Sequence, residues 1–308
     1  MPPFDEIRDM LLYGILPALA AAILVTAALE RFGGLKQAPA AAGLALLASA
    51  LAGLWMRAAV PLLIADMPSP LLSALRDALK FTNHESTWNR LPWAVLAALC
   101  AERLASVLDT HTEDGWLLRG AAALGIAWWV IPVDAREVVW LAPSFAAVVF
   151  LEWVVLERMT AQPPDGSVAF CLAMAFLTAG VVLLFAGIAR WMEAAVVCAS
   201  ALAGIGLVAW LRRADVSGIV PAAAVLLPGL LLMGQRETSV TAIPWYAFAL
   251  AALSPLMLAL AWPLRQRGGV GRYLLRLALI LAPLIAAVLL TRLTAGPLDL
   301  GLGAEENW

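Results

Sequence analysis

The chain has 308 residues, of which 63% are hydrophobic and only 14% are charged. Soluble domains are about half apolar and about a quarter charged, so this composition excludes an ordinary soluble globular protein. A net charge of −2, without any lysine- or arginine-rich run, also excludes a nucleic-acid-binding protein. The composition predicts an integral membrane protein whose main partner is the lipid bilayer.

Apolar stretches recur along nearly the whole chain. A transmembrane α-helix needs roughly 20 apolar residues to cross about 30 Å of hydrocarbon. Windows of that length predict an all-α polytopic helical bundle, a single membrane domain over residues 1–308 with about ten transmembrane helices. The predicted spans are 10–29, 38–57, 92–109, 116–133, 138–157, 167–189, 191–211, 216–234, 241–263 and 271–292.

Tryptophans fall near most of these span edges. Trp prefers the headgroup level because its ring is apolar and its N–H is polar. Trp191 and Trp210 bracket the seventh span, and at 1.5 Å per residue they lie about 28 Å apart, close to the hydrocarbon thickness. Trp140 and Trp153 bracket the fifth span in the same way, so the tryptophans are interpreted as markers of helix ends.

The longest predicted non-spanning segment is 58–91. Within it, Leu71, Leu72, Leu75 and Leu79 share one helical face opposite polar residues. This pattern favours a short amphipathic helix in the membrane interface or, equally, a cap over the bundle on its soluble side.

The distribution of basic residues among the loops indicates how the chain is oriented in the membrane, although the loops do not all agree. Loops after spans one, seven and nine are the most basic, which places them in the cytoplasm and both termini outside. The insert opposes this orientation through its own Arg76, Lys80 and Arg90. Because arginine far outnumbers lysine and alanine is abundant, we expect a multi-pass protein of a bacterial cytoplasmic (inner) membrane.

The two halves of the chain share a short match. The pattern LAPxxAAV occurs at 141–148 in span five and at 281–288 in span ten. Five spans per half would give an inverted 5+5 repeat, a common transporter plan. Chance is the alternative, because Leu, Ala and Val dominate every span.

Prolines within spans are the first candidates for a substrate or ion pathway. Each proline removes a backbone donor, and in a transporter the freed carbonyls of a broken helix can face a substrate. Simple kinks are the alternative. The candidates are Pro143, Pro221, Pro228 and Pro283, with the eighth span predicted to be the most distorted helix.

Two charged residues inside span three, Glu102 and Arg103, are the second candidates. A charge near the bilayer centre costs at least about 2.5 kcal/mol, so each should find a partner. Adjacent residues point about 100° apart on a helix, so each is expected to pair across helices. The alternatives are a substrate or proton site, an interhelical salt bridge, or an interfacial location.

The other charged residues of the spans are predicted to be interfacial. Glu152 and Glu193 lie beside tryptophans and are interpreted as ordinary carboxylates at headgroup depth. Arg119 can snorkel to the interface, and Arg276 and Glu157 are interpreted in the same way.

Metal, cofactor and catalytic signatures are not found. His84, Glu85, His111 and Glu113 could supply metal ligands, but their loops lie on opposite sides of the membrane if span three crosses. The three cysteines form no CxxC pair, and no HExxH, P-loop or G-x-S-x-G motif occurs. We expect no metal and no cofactor.

Three classes of function remain open. The first is a transporter or permease of a small molecule, supported by span count, prolines and the Glu102/Arg103 pair. The second is a non-catalytic membrane subunit or scaffold, because most spans are poor in polar residues. The third is an interfacial lipid-modifying enzyme that uses the polar loops 82–90 and 109–115.

Overall fold

The computed structural model describes residues 8–33, 42–53, 90–107, 113–131, 135–160, 166–213, 215–238, 243–264 and 270–295. Every regular element within these ranges is helical. After a π-helical turn, Met10–Ile15, the helices are α1 (Leu16–Gly33), α2 (Ala42–Gly53), α3 (Leu91–Val107), α4 (Glu113–Val130), α5 (Ala135–Thr160), α6 (Ser167–Phe185), α7 (Ala189–Arg212), α8 (Ile219–Glu237), α9 (Trp245–Ala252), a 3₁₀ segment (Ser254–Leu264) and α10 (Val270–Ala295).

Six helices among these residues are long and apolar enough to cross a membrane, which makes the protein a multi-pass membrane protein. They are Met10–Ala28, Val139–Thr160, Ser167–Phe185, Ala189–Arg212, Ile219–Glu237 and Gly271–Ala295. Helix α9 and the 3₁₀ segment reach the same length together but are bent by 41°. The other predicted spans coincide with α2, a shorter apolar helix, and with α3 and α4, which carry charged residues. The predicted count of ten and the 5+5 repeat stay predictions.

Specific contacts hold neighbouring helices antiparallel. At one end of the α3–α4 pair, Arg90 donates to the carbonyl of Trp129 over 3.1 Å. At the other end, Arg119 pairs with Glu102. Because a pocket brings Glu102 beside the start of α8, and α8 runs from there to Glu237, we call the two ends of the bundle the Glu102 end and the Glu237 end.

Close helix packing relies on small residues. A Cβ atom on Gly204 of α7 would lie 3.0 Å from Ala22 of α1, and one on Gly180 of α6 would lie 3.1 Å from Val196 of α7. Small residues let helix backbones approach closely where lipid supplies no hydrophobic driving force. The most buried spanning helix is α8, 83% of whose apolar window lies inside the bundle. The start of α8 lines the pocket that is described below.

The 3₁₀ segment shows a three-residue burial pattern. Pro255, Leu258 and Ala261 are buried, whereas Met257 and Leu260 are exposed. Side chains at i and i+3 eclipse in a 3₁₀-helix, so Pro255, Leu258 and Ala261 form one buried row, whereas the row of Met257 and Leu260 is exposed after the buried Ser254. Among the described residues, the 41° bend falls between Ala252 and Ser254, directly before Pro255.

The structure bears on two predictions about helix shape. The eighth span is not broken: α8 is continuous from Ile219 to Glu237 with Pro228 inside it, and Pro221 lies in the first turn, where a missing N–H leaves no hydrogen bond unmade. Trp153 does not mark an end, because α5 continues to Thr160. The insert 58–91 lies outside the described residues except for its last two positions.

Candidate functional site

A pocket of about 400 Å³ lies between α2, α3, α5 and the start of α8. Its size falls within the range of small-molecule sites, roughly 300–1,000 Å³. Most of its wall is apolar, and its polar lining is concentrated on α3 and α5. The lining residues are Leu44, Leu96, Leu99, Cys100, Glu102, Arg103, Ser106, Trp153, Glu157, Ser217, Gly218, Val220 and Pro221.

Two carboxylates of this wall share one buried arginine. Arg119 of α4 donates from Nε and Nη2 to the two oxygens of Glu102, over 2.9 and 2.8 Å. The same Nη2 donates to Oε1 of Glu157 on α5, over 2.8 Å. The arginine side chain is fully buried, whereas the two glutamates keep 25% and 27% of their side-chain surface. The bidentate geometry with Glu102 is the strong form of an arginine–carboxylate pair.

Aromatic residues fix this triad in place. The indole N–H of Trp153 donates to Oε2 of Glu102 over 2.9 Å. The ring of Trp116 lies 4.8 Å from the guanidinium carbon of Arg119, a cation–π contact. Phe150 meets the Trp116 ring edge-on, with centroids 6.3 Å apart. The charged groups are therefore held from three helices, α3, α4 and α5.

Helical spacing explains why these side chains converge. Trp153 and Glu157 are four residues apart on α5, and Trp116 and Arg119 are three apart on α4, so each pair shares a helix face. On α3, Glu102 and Ser106 are four apart and both face the pocket. Since α3 and α4 form an antiparallel pair, the end of α3 meets the start of α4.

Three of the six predicted site residues line the pocket. Glu102 pairs across helices, as its sequence position indicates, while Arg103 is exposed and Pro221 belongs to the first turn of α8. The other three lie elsewhere: Pro143 is exposed, and Pro228 and Pro283 are buried within α8 and α10, away from the lining residues.

Several charged residues that the sequence assigns to the interface are buried or paired inside the bundle. Arg119 is not snorkelling but fully buried, and Glu157 is part of the ion-paired site. Arg276 is also buried and donates to the hydroxyl of Ser167. Glu152 is fully buried, and neither of its oxygens has a hydrogen-bond partner in the structure.

Three residues of the site, Arg119, Trp153 and Glu157, were therefore not predicted. Spacing alone places Trp153 and Glu157, four residues apart, on one face of α5, but it does not show that this face points into the bundle. Because tryptophan commonly marks the headgroup region, the sequence places Trp153, and with it Glu157, at the membrane interface.

The Glu237 end carries a related arrangement. Glu237 at the end of α8 accepts from Arg190 over 2.8 Å and from the indole N–H of Trp191 over 2.6 Å. The Arg190 guanidinium also lies over the Trp191 ring. Because Arg190 is half-exposed, this cluster is an anchor between α7 and α8 at the bundle surface.

The described residues contain no group of three His, Cys, Asp or Glu side chains that could hold a metal ion. His84, Glu85 and His111 lie outside these residues, as does the side chain of Glu113, so the predicted separation of their loops stays a prediction.

The fold and the pocket define a helical multi-pass membrane protein with an ion-paired site near one end of the bundle. No family model matches the chain, and no curated protein matches it. The chemistry of the site is therefore argued from its own residues.

Proposed function

We propose that the protein is a transporter, or permease, of a small molecule that binds in the pocket at the Glu102 end. One observation carries this proposal: Glu102 and Glu157, two members of a charged triad, line a pocket of about 400 Å³ whose wall is otherwise largely apolar. Charged groups within membrane helices face the bundle interior or a water-filled cavity and mark substrate or ion pathways.

The triad is open toward the pocket rather than enclosed on all sides. Full enclosure would strip both glutamates of their hydration, which is costly even for a paired charge. Here the arginine is enclosed, while the side chains of both glutamates keep about a quarter of their surface open. The site thus holds its carboxylates rigidly and presents them to the pocket, as a binding site requires.

We infer that the chain crosses the membrane ten times. The antiparallel contacts support this count, because successive helices run alternately toward the two ends of the bundle. In this topology the ends of α1 and α7 and the start of α10 share the Glu102 end. The positive-inside rule then places the pocket near the cytoplasmic face of a bacterial inner membrane. A 5+5 repeat remains part of the proposal and rests on the match of 141–148 with 281–288.

Uptake into proteoliposomes tests the transport proposal. The purified protein is reconstituted, and uptake of radiolabelled cations, zwitterions, anions and neutral solutes is compared with uptake into protein-free liposomes. We expect saturable uptake of at least one solute, lost in Glu157→Gln and retained in Glu193→Gln, which removes a carboxylate on α7 away from the pocket. A folded protein that accelerates no solute in the set would count against transport.

Cysteine labelling tests the topology. In a Cys100→Ser background, which removes the exposed native thiol, single cysteines are placed at Thr110, Asp165 and Ser239. A membrane-impermeant maleimide should label the first two positions from one side and the third from the other. Labelling of residues 110 and 165 from opposite sides would contradict the ten-span topology.

A further inference from the structure

We infer that the pocket takes a small organic cation with an apolar body; this inference names a substrate class and so rests on the proposed function. Its starting point is the charge count of the triad. With both glutamates ionised, Glu102 and Glu157 carry two negative charges against the single positive charge of Arg119, so the triad then has one negative charge in excess.

The hydrogen bonds locate the excess at Glu157. Both oxygens of Glu102 are used, one by Nη2 of Arg119 and the other by Nε of Arg119 and the indole of Trp153. Glu157 receives one bond, at Oε1, while its Oε2 is buried and has no hydrogen-bond partner in the structure, so the charge of Glu157 is less compensated than that of Glu102. In a low-dielectric surrounding, an under-compensated carboxylate beside a cavity favours a positively charged occupant.

The rest of the wall selects an organic cation over a metal ion. A hard metal cation needs about six oxygen ligands. Besides the carboxylates, the pocket offers the hydroxyls of Ser106 and Ser217, while Leu96, Leu99 and Val220 present hydrocarbon. An ammonium group on an aromatic or aliphatic body satisfies both parts of this wall, since the body is buried against the apolar side chains.

Arg103 provides an internal check. Its side chain also lines the pocket and is exposed. A monocation is repelled by this guanidinium, whereas a zwitterion or an anion is held by it. Removing the Arg103 charge therefore strengthens the binding of a cation and weakens the binding of the other two classes.

A matched series of three ligands tests the inference: benzyltrimethylammonium, the betaine of phenylglycine, which adds a carboxylate to the same cation, and benzylsulfonate. Binding to the full chain in detergent micelles is measured by titration calorimetry. We expect saturable binding of the cation in preference to the other two. Because this preference is measured on the unaltered protein, it does not depend on any variant folding.

Three variants locate the effect. Glu157→Gln should weaken cation binding roughly ten- to hundredfold, since it removes the less compensated carboxylate charge beside the pocket. Arg103→Gln should strengthen it about two- to fivefold, the usual range for an exposed charge pair. Glu193→Gln should change nothing. Preference for the betaine or the sulfonate, absence of cation binding, or weaker binding in Arg103→Gln would each overturn the inference.

The failure of this inference is distinct from the failure of transport. Uptake of a zwitterion or an anion into proteoliposomes without cation binding refutes the ligand class and leaves transport intact. Cation binding that depends on Glu157, without uptake of any solute, supports the ligand class and refutes transport.

Discussion

Replacing Arg119 by methionine should be among the most damaging single changes in this protein. Arg119→Met keeps the unbranched apolar stem but removes the guanidinium and, with it, three charge-assisted hydrogen bonds to two carboxylates. At about 1.5–3 kcal/mol for each bond to a charged group, the sum would be roughly 4–9 kcal/mol. Glu102 and Glu157 regain part of this by solvation, because each is about a quarter exposed, so we expect a loss of about 3–5 kcal/mol.

A double-mutant cycle measures how this free energy of unfolding is divided. Reversible unfolding in mixed detergent–SDS micelles, followed by far-UV circular dichroism, is compared for Arg119→Met, Glu102→Gln, Glu157→Gln and the double variants. Two hydrogen bonds join Arg119 to Glu102 and one joins it to Glu157, so the first coupling energy should be the larger, about 2–3 kcal/mol against about 1 kcal/mol.

A matched arginine shows whether the effect depends on the site. Arg292, near the end of α10, is exposed, and Arg292→Met should change stability by less than about 0.5 kcal/mol. If Arg119→Met is equally mild, or if its effect adds to that of Glu102→Gln without coupling, the triad does not hold α3, α4 and α5 together.

Three further predictions use the same unfolding assay. Trp153→Phe keeps a ring but removes the donor to Glu102, and should cost about 1.5 kcal/mol; no loss would mean that water replaces the indole. Glu152→Leu replaces a buried carboxyl without hydrogen-bond partners by a hydrocarbon, and should stabilise by about 1–3 kcal/mol; destabilisation would reveal a partner for the carboxyl. Gly43→Ala would bring a Cβ into contact with the backbone carbonyl of residue 218 and should destabilise the protein by more than about 1 kcal/mol. The control, Gly125→Ala, meets nothing within 4 Å and should be neutral or stabilising. Equal effects of the two variants would contradict close packing of α2 against the start of α8.

The sequence carries much of the fold because the membrane restricts it severely. A bilayer core demands apolar helices of a minimum length, so windows of apolar residues predict helices near their observed positions, as for 216–234 against Ile219–Glu237. The interior of the bundle is less constrained. A tryptophan satisfies its N–H at a headgroup or at a carboxylate on a neighbouring helix, and the second arrangement is the one found for Trp153.

Only part of the candidate site can be predicted from the sequence, because a charge stands out inside an apolar stretch but not near the end of a span. Glu102 is conspicuous because it interrupts an apolar stretch, so a sequence identifies it directly. Arg119 and Glu157 lie near predicted span edges, where a charge is inexpensive, and nothing local shows that α4 and α5 turn them inward. Which helix faces which neighbour follows from packing over the whole bundle, and that information is not contained in any one span.

The 3₁₀ segment also determines how far the chain reaches. Its 11 residues rise about 2.0 Å each and so cover about 22 Å, where an α-helix of the same length covers about 16 Å. The gain is close to one full α-helical turn. Bilayer thickness can thus be matched here by helix type as well as by residue number, and a thinner membrane would favour rewinding Ser254–Leu264 into an α-helix.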